Sequence, residues 1–168
     1  CAARGYDLLI SFQQMTQDWH AEFEDSKKAD GLILLGYGDY EVYRARLEQL
    51  VAQGTRFVRW GAVVEGQPGV SIGSDNALGG LEATRHLLAQ GRRNIAWLGD
   101  ASRHYPEFQA RFRGYQKALR EAGITPANDL RVSALSSESD GRAAMEVLLN
   151  RGTPFDAVFA ASDLIALG

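Results

Sequence analysis

The chain predicts an α/β fold built on parallel sheets, and three observations carry that expectation. Short apolar runs recur, such as Leu32-Ile33-Leu34-Leu35 between Gly31 and Gly36. Continuous runs of this kind suit strands buried on both faces of a parallel sheet. Amphipathic stretches separate them and close on Gly54, Gly91, Gly123 and Gly152, where glycine is the common helix stop. The turns between are short, which suits right-handed strand–helix–strand crossovers.

Taken in order, Tyr6-Asp7-Leu8-Leu9-Ile10 reads as a first strand, and Phe12 to Lys28 places Trp19 and Phe23 at helical spacing. Leu32 to Leu35 is a strand. Tyr40 to Gln53 is a helix with Val42, Tyr43, Leu47, Leu50 and Val51 on its apolar face. Arg56 to Trp60 and Val70 to Ile72 are strands flanking a Glu65-Gly66-Gln67-Pro68-Gly69 loop. Asp75-Asn76 offers capping side chains for a helix reaching Gln90, with Leu78, Leu81, Leu87 and Leu88 inward. Arg93 to Gly99 is a strand, Ser102 to Gln109 a polar loop, and Ala110 to Ala122 a helix with Phe112, Tyr115, Ala118 and Leu119 periodic. Leu130 to Leu135 is a strand, Gly141 to Asn150 a helix, and Ala157 to Ala161 the last strand.

Composition narrows the function. The chain has 168 residues, 45% apolar and 23% charged, with a net charge of -3. A domain that holds DNA by itself carries a basic surplus to neutralise phosphates, and none is present. Cys1 stands alone, so no internal disulfide forms, which suits a reducing cytoplasm. No apolar run approaches the roughly 20 residues of a membrane span, and no signal peptide is visible. Cys1-Ala2-Ala3-Arg4-Gly5 reads like a helix tail, and the last residues stop as a helix begins, so the chain is expected to be a fragment.

Open α/β sheets bind ligands outside the carboxyl ends of their strands. The segments expected there are Gly36-Tyr37-Gly38, Trp60-Gly61, Ser74-Asp75, Asp100 to Gln109, Ser136-Ser137 and Ser162-Asp163. Hydroxyls, carboxylates, aromatic rings and arginine in one place suit a neutral polyol, which takes hydrogen bonds at its edge and ring stacking on its C–H face.

From residue 70 onward the sequence resembles the effector domain of the LacI/GalR family. The carrying residues are Asp75-Asn76, Gly79-Gly80, Ala83-Thr84, His86-Leu87, Gly91-Arg92-Arg93-Asn94-Ile95-Ala96, Arg111, Gly114-Tyr115, Ala118-Leu119, Gly123-Ile124, Pro154, Asp156-Ala157-Val158-Phe159-Ala160 and Ser162-Asp163. Residues 5 to 60 match more loosely, through Gly5-Tyr6-Asp7-Leu8 and Asp30-Gly31-Leu32-Ile33. The resemblance implies two Rossmann-like subdomains of periplasmic-binding-protein type, each with a parallel sheet and with the ligand between them. Residues 1–74 would belong to the N-terminal subdomain and 75–168 to the C-terminal one. It further implies a cytoplasmic, non-enzymatic sensor of a small-molecule effector, a sugar or related metabolite. That sensor would pair as a homodimer and reach operator DNA only through a headpiece absent from this chain. A periplasmic sugar-binding protein of a transporter shares the fold and is the alternative.

The resemblance also implies site residues. Arg111 matches the effector-contacting arginine; its five donors in a rigid fork suit vicinal hydroxyls or a carboxylate. Read without the resemblance, it is a solvated arginine on an amphipathic helix. Ser162 stands where most members carry a ligand-contacting asparagine, and Asp163 is expected to cap the following helix. Gly61 stands in the place of a frequent ligand-contacting aspartate, with Trp60 or Arg59 as compensating groups. Asp75 either touches ligand or caps. Tyr105 and Glu107 fall in a loop where specificity varies, and Ser136 and Ser137 replace a frequent stacking aromatic.

Other chemistry lacks support. Gly36-Tyr37-Gly38 would need a third glycine where Glu41 stands. His20, His86 and His104 have no metal-ligand spacing, and no Gly-x-Ser-x-Gly elbow occurs. No catalytic residue, metal or cofactor is expected.

Overall fold

The computed structural model describes residues 2–11, 29–35 and 39–168. Among the described residues, six strands form two three-stranded parallel sheets. The first contains β1 (Leu32–Leu35), β2 (Phe57–Trp60) and β3 (Val70–Ile72), in that order, with α1 (Tyr40–Ala52) between β1 and β2. After α2 (Asn76–Ala89) the second sheet begins at β4 (Ile95–Leu98). It continues through α3 (Pro106–Glu121), β5 (Arg131–Val132), α4 (Glu138–Asn150) and β6 (Ala157–Ala160), and α5 (Asp163–Leu167) follows. Its strand order is β5-β4-β6, with β4 in the middle.

In the second sheet, β4 is buried along its whole length. Trp97 is its centre, with ring centroids of Phe112, Tyr115 and Phe159 at 4.9, 5.5 and 5.0 Å. The polar tips of these rings are satisfied: the Trp97 indole donates to the Gly99 carbonyl at 2.9 Å and the Tyr115 hydroxyl to the Ile95 carbonyl at 2.7 Å. Buried aromatic N–H and O–H groups need such partners. The first sheet has a smaller core of Leu34, Leu47 and Leu50, with Leu32, Tyr43 and Phe57 against it.

Helices α2 and α3 meet through glycines. A Cβ on Gly80 would collide with the Arg111 carbonyl, and one on Gly114 with the Ala77 carbonyl. The close approach therefore requires the missing side chains, and it fixes α3 against α2.

Several expectations are corrected. Tyr6 to Ile10 is exposed and irregular, because a strand exists only through ladder partners and none pairs with it among the described residues. The Ser102–Gln109 loop ends early: α3 starts at Pro106, since proline lacks only an N–H that the first helical turn leaves unpaired. The strand from Leu130 shortens to Arg131–Val132 behind a 3-10 turn, Asn128–Leu130. Helix α4 begins at Glu138 because Ser137 caps it, accepting from Asp140 N–H at 3.1 Å. Val42, Val51 and Leu78 are exposed rather than inward, and so are Ile33 and Leu35, which no described element covers. The helix read over Phe12 to Lys28 and the Gly36-Tyr37-Gly38 segment lie outside the described residues.

Candidate functional site

A cleft of about 1090 Å³ opens at the carboxyl ends of β2, β3 and β6, lined by residues of both sheet units. This is just above the ordinary range of ligand-pocket volumes, roughly 300–1,000 Å³. It gathers Arg111, Ser162, Asp75, Trp60, Tyr105 and Ser136 around one space. Ser137 is not on its lining, being occupied as the α4 cap.

Arg111 lies on α3, whose seating on α2 aims its side chain along the cleft wall. Its Nε donates to Asn76 Oδ1 at 2.9 Å and its Nη1 to the Ala161 carbonyl. The guanidinium carbon stands 5.7 Å from the Phe108 ring centroid. No carboxylate pairs with it among the described ion pairs. These two bonds orient the planar guanidinium, and Nη2 makes none among the described residues.

Ser162 is extended (φ -148°, ψ 165°) and its hydroxyl accepts from Ile165 N–H at 3.4 Å, capping α5. The cap expected of Asp163 is therefore Ser162's, because Asp163 is already inside the helical turn, where its carboxylate faces the helix's positive end. The Ser162 and Ser136 hydroxyls share a hydrogen bond at 3.0 Å. Asp75 caps α2 through Leu78 N–H at 2.9 Å while lining the cleft. Trp60 ends β2 and is 52% exposed. Tyr105 stands at the start of α3, 6.2 Å from the Phe108 ring. Burial pushes its phenol upward, and the carboxylates of Asp100, Asp39 and Asp140 add to that.

Some lining groups were weakly signalled or missed. Arg59 is only 2% exposed, although strand arginines ordinarily face water. The β2 alternation puts it beside Leu34 and Ser71 in the ladder, on the face that α1 covers. Its Nε donates to Ser71 Oγ at 3.4 Å, its Nη2 to the Ala62 carbonyl, and it lies 5.6 Å from the Tyr40 ring centroid. Tyr43 has its phenol raised by burial, with the Arg59 charge opposing. Tyr40, Tyr43, Phe108 and Phe159 add aromatic lining, and Asn76 holds Arg111. Asp39, which the sequence reading did not single out, caps α1 by accepting from the Glu41 N–H at 2.9 Å and also ties that helix to the second unit. His104 Nδ1 is 2.7 Å from Asp39 Oδ1, and the Tyr40 N–H donates to the His104 carbonyl at 2.9 Å.

Among the described residues, no group of three His, Cys, Asp or Glu side chains is placed to hold a metal ion. No described helix is long and apolar enough to cross a membrane.

Comparison with known proteins agrees with this architecture. Residues 4–168 match the family described as periplasmic binding proteins and sugar binding domain of LacI family. The HTH-type transcriptional regulator GalR of Escherichia coli (strain K12) is 35% identical over 125 residues, covering 74% of this chain and 36% of GalR. The ribose operon repressor of the same strain is 27% identical over 171 residues, covering all of this chain and 51% of the repressor. The chain thus spans between a third and about half the length of these relatives. Among solved structures, a transcriptional regulator CelR–cellobiose complex superposes with a TM-score of 0.74 at 30% identity, covering 87% of this chain and 44% of CelR. The match over residues 4–168, on two parallel-sheet units flanking a cleft, places the chain in the family of periplasmic binding proteins and LacI-type sugar-binding domains.

Proposed function

We propose that the chain is the effector-sensing part of a cytoplasmic, DNA-binding transcription regulator that binds a small sugar between its two sheet units. The unit boundary falls at 74/75, just before α2. The observation that carries the reading is the Arg111 guanidinium, held by Asn76 and Ala161 on the cleft wall with no carboxylate partner among the described residues. Such a fork binds vicinal hydroxyls well. Trp60, Tyr105 and Phe108 offer faces for a sugar ring, and Asp75, Ser136 and Ser162 offer polar contacts.

The relatives named above are regulators, which favours this reading over a periplasmic transport component. An enzymatic role is set aside on the same ground. In the full protein, ligand would shift the relative position of the two units, and a homodimer would carry that change to operator DNA through a headpiece. A ligand does so only by binding the two arrangements with different affinity.

The test is thermal unfolding of the full protein against a panel of neutral mono- and disaccharides, ribose and cellobiose included. A specific ligand raises the melting temperature by mass action, worth about 2.7 kcal/mol at a hundredfold excess over Kd. Arg111→Ala is expected to abolish that rise. A variant that responds like the wild type removes Arg111 from the site, and a panel without any response refutes the sugar reading.

A further inference from the structure

Glu107 reaches from one sheet unit to the other. It sits in the first turn of α3, and its Oε1 accepts a hydrogen bond from the Ala62 N–H, beyond β2, at 2.6 Å. A carboxylate acceptor makes this a charge-assisted bond, shorter and stronger than a neutral one. Ala62 is buried, and its carbonyl accepts from Arg59 Nη2. One peptide segment is thus gripped from both sides: by the arginine of its own unit and the carboxylate of the other.

The seat depends on residue 61. A Cβ on Gly61 would stand 2.8 Å from Glu107 Oε1 and 3.4 Å from Arg59 Nη1. The first distance is too short for any ordinary contact, so a side chain there displaces the carboxylate. Glycine at this position leaves the room that Glu107 fills, beside a buried cation that favours a negative neighbour.

We propose that Glu107 is a positioning residue, a clasp between the two units whose bond to Ala62 must break for the cleft to open. The inference rests on the reading that the units move relative to each other around a ligand. Glu107 also lines the cleft, so a bound molecule meets the clasp directly. Its second oxygen makes no hydrogen bond among the described residues.

The test needs no ligand, so it succeeds or fails separately from the sugar panel. Amide hydrogen exchange is followed in the full protein across residues 61–64 and, as an internal reference, across β4. Small-angle scattering reports the radius of gyration of the same samples. Glu107→Ala is expected to speed exchange at 61–64 by about tenfold or more, leave β4 unchanged and enlarge the radius of gyration. Gly61→Ala puts a Cβ where Glu107 Oε1 sits and at a φ of 156° that strains a side chain, so it is expected to speed exchange at 61–64 at least as much with Glu107 still present. Wild-type exchange at 61–64 in either variant overturns the clasp. So does a rise shared equally by β4, which marks general loss of stability instead.

Discussion

The α-carbon of Gly80 lies against the carbonyl of Arg111, so close that a methyl group there would overlap the oxygen. Arg111, one of two arginines on the cleft lining, is therefore placed by a glycine on a neighbouring helix. Gly80→Ala is expected to push α3 from α2 and to destabilise the fold by about 1–3 kcal/mol, the usual cost of overpacking. Gly79 is the control. Nothing stands within 4 Å of a Cβ at that position, so Gly79→Ala should gain up to about 1 kcal/mol from helix propensity. Urea denaturation of both variants decides, and equal stabilities would contradict the close approach.

Ser162 both caps α5 and meets Ser136, so its two roles can be separated. Ser162→Ala loses the cap and is expected to cost about 0.5–2 kcal/mol. Ser162→Asn retains capping ability and is expected to unfold within about 0.5 kcal/mol of the wild type. Chemical denaturation measures both. Equal losses in the two variants would show that the Ser162–Ser136 contact, rather than the cap, matters for stability.

Tyr115 offers an alkaline signature. Burial pushes its phenol up to about 12 from the ordinary 10.0. The folded state therefore keeps a proton that the unfolded state loses first. Its stabilising contribution is whole below pH 10, falls as pH rises toward 12, and amounts there to a loss of about 2–3 kcal/mol. Absorbance titration should show one tyrosine ionising late, and Tyr115→Phe should remove that late step.

Asp39 offers an acid signature. The hydrogen bond from His104 holds its carboxyl below the ordinary 3.8, against an opposing effect of desolvation and with help from the Glu41 N–H. A lowered carboxyl stabilises the fold above the unfolded pKa, and that contribution is lost as pH falls through the folded one. Carboxyl NMR titration should find Asp39 among the low values, returning toward 3.8 in His104→Ala. Asp39→Asn should lessen the drop in melting temperature between pH 5 and pH 3.

The alternation of strands and helices was readable because its signals are local. Ile95 to Leu98 is apolar throughout and became the buried central strand; Gly91 and Gly123 follow the helices they were expected to stop. Pairing is not local, and Tyr6 to Ile10 had strand composition but has no ladder partner among the described residues. The start of α3 was hidden because Ser102 to Gln109 was read as a polar loop from its composition, although proline at a first helical position is a common start. The segments that follow strands were expected at the cleft from the carboxyl-end rule for open α/β sheets, and the site residues within them from the resemblance. Arg59 was harder: an arginine in an apolar strand points inward or outward according to register, which pairing with Leu34 and Ser71 decides. The bond between Glu107 and Ala62 spans 45 residues of chain, and no sequence period links them.

Trp60 and Trp97 have opposite environments: one is half open on the cleft wall, the other sealed in the second core with no exposure. A dissolved collisional quencher such as acrylamide reaches the first indole and is shut out from the second. Occupancy of the cleft should therefore shield a fraction of the emission that is otherwise quenched, giving the protein an intrinsic optical report of what it has bound.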